Sequence, residues 1–152
     1  MGLDMYLYKR EYVSGWNYKE DQDTSLYDLI LEKTGLPRCE ASPHAYVDVT
    51  VAYWRKVNSV HRWFCLLDGG RDECQPIRVT VDDLKALRDA CEAVLLEPAK
   101  AASTLPTQSG FFFGSYEYDD WYIADLKDTV SQIDACLAGA DEWDEFTYQA
   151  SW

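Results

Sequence analysis

The chain has 152 residues, of which 47% are hydrophobic and 14% aromatic, a composition that excludes a disordered protein and is typical of one globular domain. Its 27 acidic and 14 basic side chains give a net charge of -13, which makes binding to nucleic-acid phosphates or to anionic lipid unfavourable. A basic pocket for a small anion stays compatible with this charge, because short-range hydrogen bonds act inside the screening length of about 10 Å. We therefore predict a single α+β domain over residues 1–152 and no nucleic-acid partner.

Cysteine spacing and terminal sequence bear on metal binding and location. The cysteines are odd in number and contain no CxxC pair, so they predict free thiols rather than a zinc site. The first residues lack the pattern of a signal peptide, and no apolar run approaches the ~20 residues that span a bilayer. These features predict a cytoplasmic protein with no membrane partner, no metal and no cofactor. The cysteines are Cys39, Cys65, Cys74, Cys91 and Cys136.

The first third of the chain predicts one strand and one short helix. Apolar residues alternate over residues 3–7, the period of a strand with one buried face. Residues 14–23 are polar and aperiodic, and Thr24 is then placed to cap a helix that stops at Gly35. The apolar side chains expected on the inner face of this helix are Leu26, Leu29 and Ile30.

The middle of the chain predicts a strand that leads directly into a helix. Valines alternate with polar residues over residues 47–51, and a helical pattern follows at about residues 52–66. A brief edge strand is expected at Ile77 and Val79. The next helix has the strongest signal, because Thr80 and Asp83 form a capping-box pair ahead of apolar residues at helical spacing.

The last third predicts a loop, a long helix and a closing strand. Residues 105–118 fit neither period, a helix starts at about Asp119 and stops at Gly139, and Phe146–Trp152 alternate. The fold class is therefore α+β, with about four helices packed on a small mixed or antiparallel sheet that includes the N- and C-terminal strands. The aromatic closing strand either completes this sheet or pairs with a second copy, which leaves a homo-oligomer open.

The predicted helix Tyr53–Phe64 carries the first candidate site. At about 100° per residue, an indole and a histidine share its apolar stripe, and three polar side chains line the edge. Guanidinium groups suit phosphate, an amide suits the polar edge of a base, and indoles stack. The alternative is a core histidine with arginines that pair with the acidic surface. The residues are Trp54, His61, Arg55, Asn58 and Arg62.

The second candidate is the loop over residues 107–116, in which glycines flank three consecutive phenylalanines. Glycine permits close approach of the backbone to a ligand, and the loop supplies neutral hydrogen-bonding groups and aromatic rings. It matches neither GxGxxG nor a P-loop, so nucleotide hydrolysis has no motif. The alternative is an aromatic core strand bounded by turns. The candidate ligand-binding residues here are Gln108, Ser109, Phe112 and Tyr116.

Carboxylates near the start of the last helix, Asp119, Asp120, Asp125 and Asp128, are interpreted as stabilising the helix N-terminus rather than as metal ligands. No GxSxG surrounds any serine, and the chain has two histidines. No catalytic residue is predicted.

Three segments resemble a family of small, mostly uncharacterised bacteriophage proteins: the opening MGLDMYLY, the pattern YWRKxNxxHxWF at residues 53–64, and LPTQxGFFFGS at residues 105–115. The resemblance spans nearly the whole chain, with Val57 in place of the alanine expected from the family. It implies a phage accessory protein made in the host cytoplasm, and it implies no particular activity.

These features lead to a ligand-sequestration hypothesis. Arg55 and Arg62 neutralise phosphate, Asn58 and Gln108 read polar edges, His61 donates a hydrogen bond, and Trp54, Phe112 or Tyr116 stack on a small nucleotide-derived anion that is not turned over. By analogy with phage proteins that counter host defence, the ligand is an alarm nucleotide. One alternative is an inhibitor whose acidic tail, residues 141–145, binds a host protein. The other is a nucleotide-processing enzyme that uses His61 as general acid or base.

Overall fold

The computed structural model describes residues 2–18 and 22–152. The chain divides into two compact units, a smaller unit of residues 10–49 and a larger unit of residues 1–9 and 50–152. The polar segment predicted over residues 14–23 is irregular at residues 15–18, and residues 19–21 of it lie outside the described residues. Both candidate segments lie in the larger unit.

A four-stranded antiparallel sheet confirms the predicted α+β class, and it contains the N- and C-terminal strands. The strand order is β2-β1-β4-β3. β4 is central and pairs antiparallel with both neighbours, so that Tyr148 lies opposite Leu7 on one side and Ile77 on the other. The closing strand therefore completes the protein's own sheet. The strands are β1 (Asp4–Ser14), β2 (His44–Arg55), β3 (Ile77–Thr80) and β4 (Glu145–Ser151).

Five α-helices accompany the sheet in the described part of the chain, one more than the approximate number predicted. The additional helix, α4, has four residues and follows a 3-10 turn at Pro98–Lys100. The capping box of α3 is present, since Thr80 Oγ1 accepts from the Asp83 N–H at 3.1 Å and the Asp83 carboxylate accepts from the Thr80 N–H at 2.8 Å. The helices are α1 (Ser25–Thr34), α2 (Asn58–Leu67), α3 (Val81–Leu96), α4 (Ala101–Thr104) and α5 (Asp120–Ala138).

The predicted helix over residues 52–66 is wrong in its first third. β2 continues to Arg55, and α2 begins only at Asn58. Ala52 and Trp54 are buried while Tyr53 and Arg55 are exposed, which is the period of two of a strand with one face on the core. Lys56, with φ of 60°, then turns the chain in the left-handed region before the helix starts.

The core of the larger unit lies on one face of the sheet. Leu3, just before β1, and Met5 and Leu7 of β1 are fully buried. The ring of Phe64 on α2 stacks on Tyr148 of β4 with centroids 4.1 Å apart. α3 packs along α5. Among the described residues, no helix is long and apolar enough to cross a membrane.

The smaller unit corrects the prediction for α1. Leu26 and Leu29, expected on the inner face, are 54% and 46% exposed, and Tyr27 is the buried residue of the helix. Tyr27 packs closely against Gly15, where an added Cβ would lie 2.5 Å from the ring, and the guanidinium of Arg38 lies 5.2 Å from the ring centroid. Helical spacing predicted the helix itself correctly. It did not predict that Tyr27 is buried, because that depends on contacts with Gly15 and Arg38, which lie outside the helix.

All five cysteines are free thiols in the structure. Cys65 on α2 and Cys91 on α3 are buried, Cys39 is exposed, and Cys74 and Cys136 are intermediate. Burial raises the pKa of the Cys91 thiol to about 12, with a smaller contribution from the charge of Glu92. The Cys91 thiol therefore remains protonated and unreactive at neutral pH.

Candidate functional site

A half-open cavity of about 170 Å³ lies in the larger unit. Its walls are the end of β2, the start of α2, the loop over residues 107–119 and the first turns of α5. The cavity therefore encloses a phosphate-sized group and leaves a larger ligand partly outside.

One wall of the cavity is basic. Arg55 and Lys56 line it, and the first turn of α2 follows directly with Asn58 and Ser59. Val57 occupies the N-cap position of α2, and its side chain accepts no hydrogen bond from the first turn. Unpaired N–H groups and the positive end of the helix dipole attract anions. Two cations and an uncapped helix start therefore meet at one wall.

The wall at the start of α5 is acidic and aromatic. Asp119 caps α5 by accepting a hydrogen bond from the Tyr122 N–H at 3.0 Å. Burial raises the pKa of Asp125 to about 6, and the charges of Asp128 and Asp119 add to the effect. Trp121 also lines the cavity and is 79% exposed, so its indole face is available to a ligand. This wall offers carboxylate acceptors beside an aromatic surface.

The Asn58 side chain joins the two predicted segments. Its amide N–H groups donate to the carbonyl oxygens of Phe113 and Ser115 at 3.1 and 2.8 Å, and its carbonyl accepts from the Gln108 N–H at 3.0 Å. Asn58 is 3% exposed, so these bonds are made largely out of contact with water. The helix start and the glycine-flanked loop therefore form one assembly, and the Asn58 amide is committed to holding it.

Gly114 lets the loop approach Lys56 closely. Its φ is 92°, and an added Cβ would lie 3.1 Å from the Lys56 Cβ and 3.2 Å from the Lys56 carbonyl oxygen. Lys56 itself has a positive φ, which is uncommon for a residue other than glycine and costs on the order of 1 kcal/mol. The rim of the cavity thus contains two left-handed residues in contact.

No protein-family model, curated protein or solved structure matches this chain. The interpretation of the cavity therefore depends on its own residues.

Of the nine ligand-binding residues predicted from the sequence, Arg55 and Asn58 line the cavity. Trp54 is instead 2% exposed in the core, where its indole N–H donates to Thr129 Oγ1 at 3.0 Å. His61 is also in the core, at 1% exposure. Because residues 53–55 belong to a strand, the predicted helical row of Arg55, Asn58 and Arg62 is not formed.

The remaining predicted residues lie outside the cavity lining. Arg62 is half-buried, and its Nε is buried without a hydrogen-bond partner among the described residues. Gln108 turns its side chain away to donate to Asp72 Oδ2 at 2.8 Å. Ser109 and Phe112 are exposed, and the Tyr116 hydroxyl donates to the Gly110 carbonyl oxygen at 3.3 Å.

Sequence reasoning missed Lys56 and Trp121, and it gave Asp125 only a helix-stabilising role. Lys56 lies beside Arg55 in the sequence. On the predicted helix its side chain would point away from Arg55, Asn58 and Arg62, so it was not included in the candidate site. The acidic residues were noticed and interpreted as helix-stabilising, which holds for Asp119. The missed signal was an aromatic residue, Trp121, within the first turn of a helix and next to these carboxylates.

His61 belongs to a second, buried cluster. Its Nδ1 lies 2.7 Å from the Tyr148 hydroxyl, and its Nε2 lies 3.0 Å from Asp72 Oδ1 and 3.6 Å from Cys65 Sγ. Burial lowers the pKa of His61, and the charge of Asp72 opposes this shift. The hollow beside the ring leaves no room for a water molecule, so a substrate does not reach this histidine in the described conformation.

Proposed function

We propose that the larger unit binds a small nucleotide-derived anion in the cavity and retains it without turnover. The observation that carries the proposal is the uncapped start of α2 next to Arg55 and Lys56. Helix N-terminal N–H groups with flanking cations are a recurrent phosphate-binding arrangement. Lys56 has no ion-pair partner within residues 2–18 and 22–152, so its ammonium is available to a ligand.

The nucleoside part of such a ligand has a place at the wall formed by the start of α5. The exposed face of Trp121 provides a stacking surface for a base, and the carboxylate of Asp125 accepts hydrogen bonds from an exocyclic amine. The negative net charge of the whole chain disfavours long nucleic acids but not a compact anion at this site.

Sequestration agrees with the position of the histidine, which lies in the core and away from the cavity lining. The phage resemblance adds a context in which removal of a signalling nucleotide has a use, and we include a counter-defence role in the proposal on that basis alone. Tight binding needs enclosure and charge complementarity, and it does not need a proton donor.

Thermal unfolding with a panel of ligands tests the proposal. The panel comprises cyclic mononucleotides, cyclic dinucleotides, ADP-ribose and inorganic phosphate. A ligand at 100 times its Kd adds about 2.7 kcal/mol of stability, which corresponds to a rise in Tm of roughly 5–11 °C for a chain of this size. Absence of any shift across the panel would contradict the proposal.

Three variants locate the binding site. Arg55→Gln combined with Lys56→Asn should abolish the shift, and asparagine is chosen at position 56 because it tolerates a positive φ. Lys127→Asn, which removes an exposed cation from α5 outside the cavity lining, should leave the shift unchanged. Trp121→Ala should weaken nucleotides but not inorganic phosphate. Equal binding by the double variant and the control would place the ligand elsewhere.

One observation favours a second candidate, an acid–base enzyme. Asp125 has a raised pKa and lies in the cavity wall, the combination expected of a general acid or base near neutral pH. In this second candidate function, Asp125 replaces His61 as the general acid or base. Mass spectrometry of the bound ligand after incubation separates the two functions: a converted product that disappears with Asp125→Asn supports the enzyme, and unchanged ligand supports sequestration.

A further inference from the structure

The buried cluster around His61 has the composition of a transition-metal site. His61 and Cys65 lie four residues apart on α2 and face the same side, and Asp72 reaches them from the loop between α2 and β3. One ligand atom from each of these three side chains lies within 4.8 Å of the others. We propose that the protein binds one zinc ion here, held by His61 Nε2, Cys65 Sγ and Asp72, with Cys74 as the fourth ligand.

The distances suit a tetrahedral ion. Zinc bonds of about 2.0–2.3 Å to nitrogen, oxygen and sulfur place neighbouring ligand atoms roughly 3.3–3.6 Å apart. The distance from His61 Nε2 is 3.6 Å to Cys65 Sγ and 3.0 Å to Asp72 Oδ1. A hollow without room for water still admits an ion whose ligands contact it directly. Nitrogen and sulfur donors select zinc over magnesium or calcium.

Cys74 provides an independent observation. It lines the same hollow as His61, Cys65 and Asp72, and its backbone has a φ of 56°, in the left-handed region. Such a conformation is unfavourable for a residue other than glycine and persists where the surroundings require it. Because Cys74 lines the hollow that the other three ligands line, we assign it the fourth position.

The groups around the cluster match those that orient metal ligands. The free nitrogen of a zinc-bound histidine usually donates a hydrogen bond, and His61 Nδ1 lies 2.7 Å from the Tyr148 hydroxyl. The Asp72 carboxylate accepts hydrogen bonds from the Gln108 amide at 2.8 Å and from the Trp152 indole at 3.1 Å. With zinc present, Tyr148 accepts from Nδ1. Without it, Nε2 carries the proton and donates to Asp72.

Cobalt substitution tests the site on the full chain. Addition of Co²⁺ to reduced, metal-free protein should give one equivalent of bound metal, with the visible bands of tetrahedral cobalt and a thiolate-to-cobalt charge-transfer band. Zinc should displace it. Cys65→Ser should remove the charge-transfer band or shift it, whereas Cys91→Ser, which alters the buried thiol of α3, should leave the spectrum unchanged. A chain that binds no cobalt, or one whose spectrum is unaffected by Cys65→Ser, would overturn the proposal.

Two milder variants keep the test informative if Cys65→Ser does not fold. Asp72→Asn changes a side chain that is 22% exposed, and it should weaken cobalt binding by about tenfold or more. Tyr148→Phe retains the ring stacked on Phe64 and should weaken binding by about 10–100-fold, the range for groups that orient a metal ligand. Cys74→Ser should weaken cobalt binding, and an unchanged spectrum and affinity would overturn its assignment as the fourth ligand. Unchanged affinity in Asp72→Asn would show that cobalt binds outside this cluster and would overturn the proposal.

Discussion

Asn58→Ala isolates the contribution of one side chain to the wall of the cavity. The substitution removes three hydrogen bonds, two donated to the carbonyl oxygens of Phe113 and Ser115 and one accepted from the Gln108 N–H. Each contributes about 1 kcal/mol net, and more where the partner is left buried without a replacement. The free energy of unfolding should therefore fall by about 3 kcal/mol, equivalent to roughly 6–12 °C in Tm for a chain of this length.

Urea unfolding monitored by tryptophan fluorescence measures this change. The control is Asn17→Ala at the chain's other asparagine, which is exposed, and its effect should stay within about 0.5 kcal/mol. Chymotrypsin gives a second measurement, because release of the loop should accelerate cleavage at the exposed Phe111 and Phe112. A loss below about 1 kcal/mol with unchanged cleavage would refute the argument that this amide holds the loop to α2.

Further predictions concern the charge, the sheet edge and the loop. The pKa of Asp125 is raised to about 6 in the folded chain, so the folded state binds an extra proton between the ordinary carboxyl pKa and about 6. The free energy of unfolding should therefore fall as pH rises through this window. Urea unfolding of Asp125→Asn from pH 4 to 7 should lack that fall. Gln132→Ala removes two hydrogen bonds to Tyr53 on edge strand β2, one that the Gln132 amide oxygen accepts from the Tyr53 N–H and one that its N–H donates to the Tyr53 carbonyl oxygen. The free energy of unfolding should therefore fall by about 1–2 kcal/mol, and sedimentation should detect more self-association. Gly114→Ala should lower the free energy of unfolding by about 1–3 kcal/mol, because the new Cβ would contact Lys56 at a residue with positive φ. Gly139→Ala is the control: this glycine has a negative φ and no neighbour near the added Cβ, so urea unfolding should be unchanged.

Local signals in the sequence predicted most of the fold. The class, the sheet with both terminal strands and the capping box at Thr80 are confirmed. The error at residues 52–57 has a physical cause: the stretch that ends in Trp54 and Arg55 fits both periods, and neither period reveals a left-handed turn at Lys56. Tertiary packing of Ala52 and Trp54 decided for the strand.

The candidate site was harder to predict than the fold. The two segments that form it were predicted, and they do meet through Asn58. Because α2 begins at Asn58 and not near residue 52, the side chains that line the cavity differ from those predicted. Trp54 and His61 were chosen as ligand-binding side chains because aromatic and imidazole groups suit nucleotides, and the core uses the same groups. Sequence spacing does place His61 and Cys65 on one helical face, but the approach of Asp72 depends on the loop after α2 and is not visible in any local pattern.

The buried thiols of α2 and α3 give the protein internal reporters of local opening. Because Cys65 and Cys91 are protected in the closed chain, a soluble disulfide reagent modifies them only during fluctuations that expose each helix, while Cys39 reacts at once. The rates of modification, read peptide by peptide, convert into separate opening free energies for the two helices. The folded state can thus be followed element by element without an added probe.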